Sequence, residues 1–238
     1  MRDNNRKPDE LRPVKIERNF TKNAAGSVLI ESGNTKILCT ASVEESVPPY
    51  IKGTGKGWIT AEYSLLPGST HKRVIREISK SKISGRTHEI QRLIGRSMRS
   101  IVNLAGFGER TIWIDCDVLQ ADGGTRTTAI TGGYIAMADA FQRMKENKMI
   151  KEIPIVDSIA SVSVGIVKGT CVMDLSYAED SNADVDMNIV VTGRGEFVEI
   201  QGTGERTTFS DEQLGLMINY AKKGIKELTE IQTQTLEA

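Results

Sequence analysis

The sequence predicts an α+β fold in which mixed or antiparallel sheets pack against helices. Three observations carry that expectation. Apolar residues recur with a period of two over residues 27–66, again over 111–119, and again after Pro154. The segments around residues 90–104, 130–144 and 214–228 repeat their apolar residues at helical spacing instead. The resulting order of strands, helix, strand, helix, strands, helix is that of a layered α+β domain. A chain of 238 residues, 39% apolar and 26% charged with only 6 Pro, can bury a sizeable core and does not read as disordered. We read residues 1–238 as a single domain.

Each element follows from local signals. Residues 27–31 and 36–43 are short apolar runs divided by the turn Ser32-Gly33-Asn34. Residues 57–66 make the next strand, stopped by Pro67-Gly68. Residues 68–85 are polar and rich in Ser, Lys and Arg, which reads as a solvated loop. A long helix is then predicted from Ile90, Ile94, Ser97, Ile101 and Leu104, with Leu93 and Val102 widening the stripe and Gly106 as its stop. In residues 111–119, Ile112, Ile114, Cys116 and Val118 alternate with polar positions, as in a half-buried strand. A tight turn over residues 120–126 leads into a second helix with Ile130, Tyr134, Met137, Phe141 and Met144 on one face. Residues 158–168, 170–177, 184–191 and 196–201 are predicted as strands of an antiparallel meander. Ser210 and Gln213 form a capping-box pair at the start of the last helix, whose stripe is Leu214, Met217, Ile218, Ala221, Ile225 and Leu228.

Several function classes fall away. No apolar run approaches the roughly 18 residues needed to span a membrane. Residues 1–11 are polar, so no secretory segment is expected there. Cys39, Cys116 and Cys171 are odd in number and widely spaced, fitting neither a disulfide framework nor a CxxC metal site. They read as reduced thiols of a cytoplasmic protein. His71 and His88 have no partner at metal-ligand spacing, and no nucleophile elbow supports a Ser-His-Asp triad.

Net charge is the misleading quantity. The chain carries 31 basic and 31 acidic residues, which argues at first against a nucleic-acid partner. Residues 71–100, however, hold nine Lys and Arg against two Glu, a local +7, and residues 171–205 hold eight acids against one Arg, a local −7. Lys72, Arg73, Arg76, Lys80, Lys82 and Arg86 precede the first helix, and Arg92, Arg96 and Arg99 share one of its faces. We take Lys72, Arg73, Arg76, Arg92, Arg96 and Arg99 as candidate RNA-backbone contacts; for the last three, the shared helix face favours a solvated surface or a subunit contact instead. With no aromatic residue between Pro67 and Ile101, contact from this segment would be to phosphates rather than bases.

Two constellations can carry chemistry. Gly123-Gly124-Thr125-Arg126 joins a strand to a helix. Glycines let backbone N–H groups approach an oxyanion, the helix start adds free N–H groups, and Arg126 can clamp phosphate oxygens. The same residues also suit a plain connection, and neither a Walker A loop nor G-x-G-x-x-G is present. In residues 184–189, alternation places Asp184, Asp186 and Asn188 on one strand face, with Asp180 just before. Close carboxylates raise one another's pKa, so one could donate a proton, and together they could hold Mg²⁺. An exposed polar face is the simpler alternative.

Longer blocks settle the resemblance. Trp58-Ile59-Thr60-Ala61-Glu62-Tyr63-Ser64-Leu65-Leu66-Pro67, Gly85-Arg86-Thr87-His88-Glu89-Ile90-Gln91-Arg92, Asp115-Cys116-Asp117-Val118-Leu119-Gln120-Ala121-Asp122-Gly123-Gly124-Thr125-Arg126, Asp186-Met187-Asn188 and Glu199-Ile200-Gln201-Gly202-Thr203 resemble, in order, the ribonuclease PH family. The resemblance implies a ribosomal-protein-S5-like two-layer α+β domain, assembled as a hexameric ring of dimers. It implies a phosphorolytic 3′→5′ exoribonuclease that trims tRNA precursors, consumes inorganic phosphate and releases nucleoside diphosphates, reversibly. Arg86, Gly124, Thr125 and Arg126 would hold phosphate. Asp180 and Asp186 would be the catalytic and Mg²⁺-linked carboxylates. Gly68 stands where the family usually has Arg, and residues 1–6 differ from the family's Asp-Gly-Arg start. The competing reading is a catalytically inactive, RNA-binding ring subunit of the exosome kind.

Overall fold

A computed structural model describes residue 2 and residues 5–79 and 83–238. Lys80 and Lys82 of the basic segment, and Met1, Asp3 and Asn4 of the divergent start, lie outside the described residues.

Strands β1 (Val14–Arg18), β2 (Gly26–Ser32), β3 (Thr35–Glu44), β4 (Trp58–Leu65) and β5 (Thr111–Gln120) form one sheet in the order β1-β2-β3-β5-β4. All its neighbours are antiparallel except β4 and β5. Parallel neighbours cannot be joined by a hairpin, so the chain crosses between them through α1 (Gly85–Ser100). Alternation sends Ile112, Ile114, Cys116 and Val118 of β5 into the core beneath α1 and α2 (Thr125–Glu146). The second sheet contains β6 (Ile159–Val167), β7 (Thr170–Met173), β8 (Val185–Thr192) and β9 (Phe197–Thr203). It is wholly antiparallel, in the order β7-β6-β8-β9. The short α3 (Tyr177–Asp180) lies between β7 and β8, and α4 (Asp211–Glu237) covers one face of this sheet.

Helix α2 touches both sheets. That is why it is buried almost all round rather than along the single stripe expected from sequence. Gly26 of β2 permits the approach, since a Cβ there would sit 1.9 Å from the carbonyl oxygen of Ala136. In α4 the predicted stripe is intact: Met217, Ala221, Ile225 and Leu228 are buried against β6, β7 and β8. Each large member contributes about 1.5–3 kcal/mol by leaving water. The capping box forms as expected, Ser210 Oγ accepting from Gln213 N at 3.3 Å and Gln213 Oε1 accepting from Ser210 N at 2.9 Å.

Four details depart from the sequence reading. β1 had no counterpart in it, although Val14 and Ile16 do alternate. Helix α1 ends at Ser100, not at Gly106. Val102 leaves the helix to bridge Ile155, and Leu104–Phe107 form a 3₁₀ turn opened by Asn103, whose side chain accepts from Ala105 N. The run 170–177 is not one strand: β7 stops at Met173 because Asp174 adopts a left-handed φ of 53°, and α3 begins soon after. The second sheet is not a simple meander either, since β7 and β8 occupy opposite edges of β6 and α3 carries the chain between them.

Candidate active site

The two sheets meet over a cavity of about 590 Å³. One wall is the turn before α2. Gly123 and Gly124 have φ of 76° and 65°, a left-handed pair that residues with a Cβ adopt only with strain. Gly123 has a second reason to lack a side chain: a Cβ there would meet Leu175 O at 2.4 Å and Tyr177 N at 2.8 Å. The turn therefore lies directly against the backbone that leads into α3.

Gly124 is the N-cap of α2 and supplies no side-chain cap. The first helical N–H groups have no intrahelical partners and face the place where an anion would sit. Thr125 Oγ1 accepts a hydrogen bond from Tyr63 Oη at 2.8 Å, so its own proton remains to donate. Burial pushes the Tyr63 phenol up, keeping it a donor. Arg126 is held through Nη1, 3.0 Å from Gln201 Oε1 and 3.4 Å from Glu89 Oε1. Arg86, exposed in the first turn of α1, lies close enough to bias both aspartates. Ser84 anchors that turn by accepting from Thr87 N at 3.1 Å.

The facing wall carries the carboxylates. Strand β8 turns Val185, Met187 and Ile189 toward α4 and Asp186 and Asn188 toward the cavity, the alternation expected from sequence. Asp180, at the end of α3, joins them. Burial raises the Asp180 carboxyl, while Arg86 and Arg126 pull it back down. Asp186 is pushed up to about 6, first by burial and then by Asp180 and Glu205, against Arg126 and Arg86. Its Oδ1 is buried with no hydrogen-bond partner among the described residues. A carboxyl oxygen in that condition calls for a proton or a cation.

Arg86, Gly124, Thr125, Arg126, Asp180 and Asp186 all line this one cavity, and so does Lys72. The other basic candidates lie outside its lining. Arg73 and Arg92 are exposed. Arg76, also exposed, is near enough to offset part of the burial-driven rise of the Asp117 carboxyl. Arg96 pairs with Glu199 at 3.2 Å, tying α1 to β9. Arg99 stacks 4.4 Å from the Trp58 ring centroid and donates to Ile59 O at 2.6 Å, so its guanidinium serves the packing of α1 on β4. Sequence reasoning gave no role to Tyr63, His71, Ser163, Tyr177 or Asn188 in the cavity wall. The signal for Asn188 was present in its strand face; for the others only the folded chain supplies one. Gly68 is exposed and a Cβ there would meet nothing within 4 Å, so the missing Arg would fit. At the start of the chain Asn5 takes a left-handed φ of 57°, a conformation asparagine tolerates after glycine.

The chain is similar to known proteins along nearly its whole length. Residues 10–141 match the 3′ exoribonuclease family, domain 1, and residues 157–224 match its domain 2. Ribonuclease PH of Geobacillus sp. (strain WCH70) is 57% identical over 237 residues, 99% of this chain and 93% of that protein. Ribonuclease PH of Halalkalibacterium halodurans is 58% identical over 239 residues, 100% of this chain and 93% of that one. Among solved structures, rice Rrp46 superposes with a TM-score of 0.79 at 19% identity, covering 99% of this chain and 100% of its own. A subunit of the Archaeoglobus fulgidus exosome with RNA bound to the active site gives 0.80 at 21% identity, covering 96% and 91%. The last two likenesses bear on the fold and match its α+β arrangement. On the strength of both family domains and these relatives, the chain belongs to the ribonuclease PH family of 3′ exoribonucleases.

Proposed function

We propose that this protein is a phosphate-dependent 3′→5′ exoribonuclease that trims the 3′ ends of tRNA precursors, releases nucleoside diphosphates, and runs in reverse as a nucleotidyltransferase. The observation that carries this reading is the convergence of an anion-holding turn and a proton-poised carboxyl pair on one cavity. Inorganic phosphate sits on the N-terminus of α2, held by the backbone at Gly124, the Thr125 hydroxyl and the guanidinium groups of Arg126 and Arg86. These groups neutralise it and fix its approach to the terminal phosphodiester of the RNA. A phosphate oxygen bonds to that phosphorus, and the bond from phosphorus to the 3′ oxygen of the preceding nucleotide breaks. The shortened RNA leaves with a 3′ hydroxyl, and the released nucleotide carries the incoming phosphate as its β-phosphate.

The leaving 3′ oxygen needs a proton or a counter-charge. Asp186, with a pKa of about 6, keeps roughly a tenth of its population protonated at pH 7, far more than an ordinary aspartate, and that form supplies the proton. Mg²⁺ fits the same place. Two carboxyl groups converge there, one with an orphaned buried oxygen, while no cluster of three His, Cys, Asp or Glu exists among the described residues. A two-carboxylate site that leaves the other positions to water and phosphate oxygens suits this ion. When bound, Mg²⁺ supplies electrostatic stabilisation of charge on the leaving oxygen.

The RNA path runs outward over Lys72, Arg73 and Arg76 and along the exposed side of α1, past the exposed Arg92. We further read the chain as one domain, since α2 packs against both sheets. We read the assembly as a hexameric ring, a trimer of dimers, and the compartment as the cytoplasm, in keeping with three buried free thiols. No described helix is long and apolar enough to cross a membrane. The inactive-subunit reading is disfavoured because Arg86, Thr125, Arg126, Asp180 and Asp186 are all present around one cavity. The test is incubation with tRNA bearing extra 3′ nucleotides, with and without phosphate. Nucleoside diphosphates are expected only with phosphate; phosphate-independent release of monophosphates would make the protein a hydrolase, and RNA binding with no product would favour the inactive subunit. Light scattering in solution tests the ring.

A further inference from the structure

We propose that Arg12 is a positioning residue for phosphorolysis, clamping the phosphate turn to the chain segment that carries Asp180. The inference rests on the function just given and concerns how its two halves are held in register. Arg12 lies in the segment before β1, far in sequence from both. Its guanidinium is buried beneath the turn: a Cβ added at Gly124 would lie 3.0 Å from Arg12 Nη2. Nη1 donates to Asp122 O, and Nη2 reaches Gly123 O at 3.4 Å. The adjoining edge grips Asp174, with Nη2 to Oδ1 at 2.7 Å and Nε to Oδ2 at 3.0 Å, and the backbone N of Arg12 reaches Oδ2 at 2.7 Å. One planar side chain thus bonds simultaneously to the turn that would hold phosphate and to the residue that ends β7.

Asp174 passes that constraint on. Its left-handed backbone redirects the chain from β7 into α3, and its N donates to Ser163 O at 2.6 Å. Its carbonyl accepts from Arg6 Nη1 at 3.1 Å, while Arg6 Nη2 reaches Glu179 Oε2 at 3.2 Å. Glu179 is the immediate neighbour of Asp180. It is fixed from the other side by Arg2 Nε at 2.7 Å and accepts from Ser176 N at 3.0 Å. The N-terminal segment therefore holds α3 by Glu179 and the phosphate turn by Asp122 and Gly123, with Arg12 and Asp174 as the joint. A fork-shaped cation suits that joint, because a lysine's three donors radiate from one nitrogen and cannot present a paired N–H edge to Asp174 while also reaching Asp122 O.

The experiment is steady-state phosphorolysis by the full-length protein carrying Arg12→Lys or Asp174→Asn, with folding followed by circular dichroism and RNA affinity measured separately. Arg12→Lys is expected to raise the KM for phosphate about fivefold to tenfold and to lower kcat, through lost alignment of attacking phosphate and leaving oxygen. The Kd for RNA should stay unchanged. Asp174→Asn, which keeps shape and tolerates the left-handed backbone, should move the same two parameters in the same direction. A residue that served stability alone would reduce only the active fraction, lowering kcat with phosphate KM untouched. An unchanged phosphate KM in either folded variant, or loss of folding in both, would assign the clamp to stability and overturn the proposal. A parent protein without phosphate-dependent release would instead remove the function on which it rests.

Discussion

The two walls of the cavity are built on opposite principles. On the phosphate side, the turn and the side chains beside it are held in place, while the first N–H groups of α2 and the exposed Arg86 stay open to an anion. The left-handed glycines need no Cβ, Thr125 is bonded to Tyr63, Arg126 to Gln201 and Glu89, and Arg12 underlies the turn. On the carboxyl side, the need is left open: Asp186 is half-buried beside Asp180, with one buried oxygen unsatisfied among the described residues and a raised pKa. On the function proposed above, the first wall is pre-organised for an anion that arrives from solution. The second stores an electrostatic deficit that a proton or a cation relieves during reaction. Stability is given up on one side only, as expected where catalysis needs a poised group.

The largest expected effect comes from emptying the strained wall. Asp186→Asn should lower kcat by about 10²–10⁴-fold, the range for a general acid. The same change should stabilise the fold. The folded pKa of about 6 lies above the ordinary 3.8, so the group's contribution is fully present below pH 3.8 and is lost as pH rises through 6. At pH 8 the variant should therefore gain about 3 kcal/mol, and near pH 3.5 almost nothing. Denaturant unfolding at both pH values checks this; an equal gain at both would contradict the electrostatic origin.

Emptying the satisfied wall should act through phosphate. Arg126→Ala is expected to cost about 10²–10³-fold in turnover at limiting phosphate while RNA binding persists on the other cations. Unchanged turnover there would remove Arg126 from the phosphate site. Tyr63→Phe is gentler. It deletes one hydrogen bond, about 1 kcal/mol, and should raise phosphate KM roughly fivefold with kcat nearly constant. A fall in kcat alone would show that Tyr63 serves something other than Thr125.

The smallest effect lies outside both walls. Gly68→Arg places a cation in open space beside the basic loop and should tighten RNA binding about twofold to fivefold at low salt, with a steeper salt dependence. Salt-independent tightening would point to a contact other than phosphate.

This contrast between walls was only half legible in the sequence. The Gly-Gly-Thr-Arg turn and the alternating polar residues Asp186 and Asn188 are local patterns, whereas their meeting around one cavity, with Asp184 left out of it, is set by the fold. The supports were not local. Arg12 and Asp174 meet across 162 positions, and nothing in their flanking residues announces the pair. Arg99 shares a helix face with Arg92 and Arg96, yet Trp58 and the Ile59 carbonyl claim it, a partnership set by how α1 lies on β4. The end of α1 and the break after β7 were misjudged for the same reason: a bridge to Ile155 and a left-handed Asp174 are settled by tertiary contacts, not by periodicity.

The central claim is that inorganic phosphate, held at the start of α2, attacks the terminal linkage of the RNA. The most direct measurement supplies ³²P-labelled inorganic phosphate with an unlabelled tRNA precursor and locates the label in the products. The account predicts nucleoside diphosphates labelled at the β-phosphate, formed about 10²–10³-fold more slowly by Arg126→Ala at limiting phosphate. Unlabelled nucleoside monophosphates, appearing at the same rate without phosphate, would contradict it.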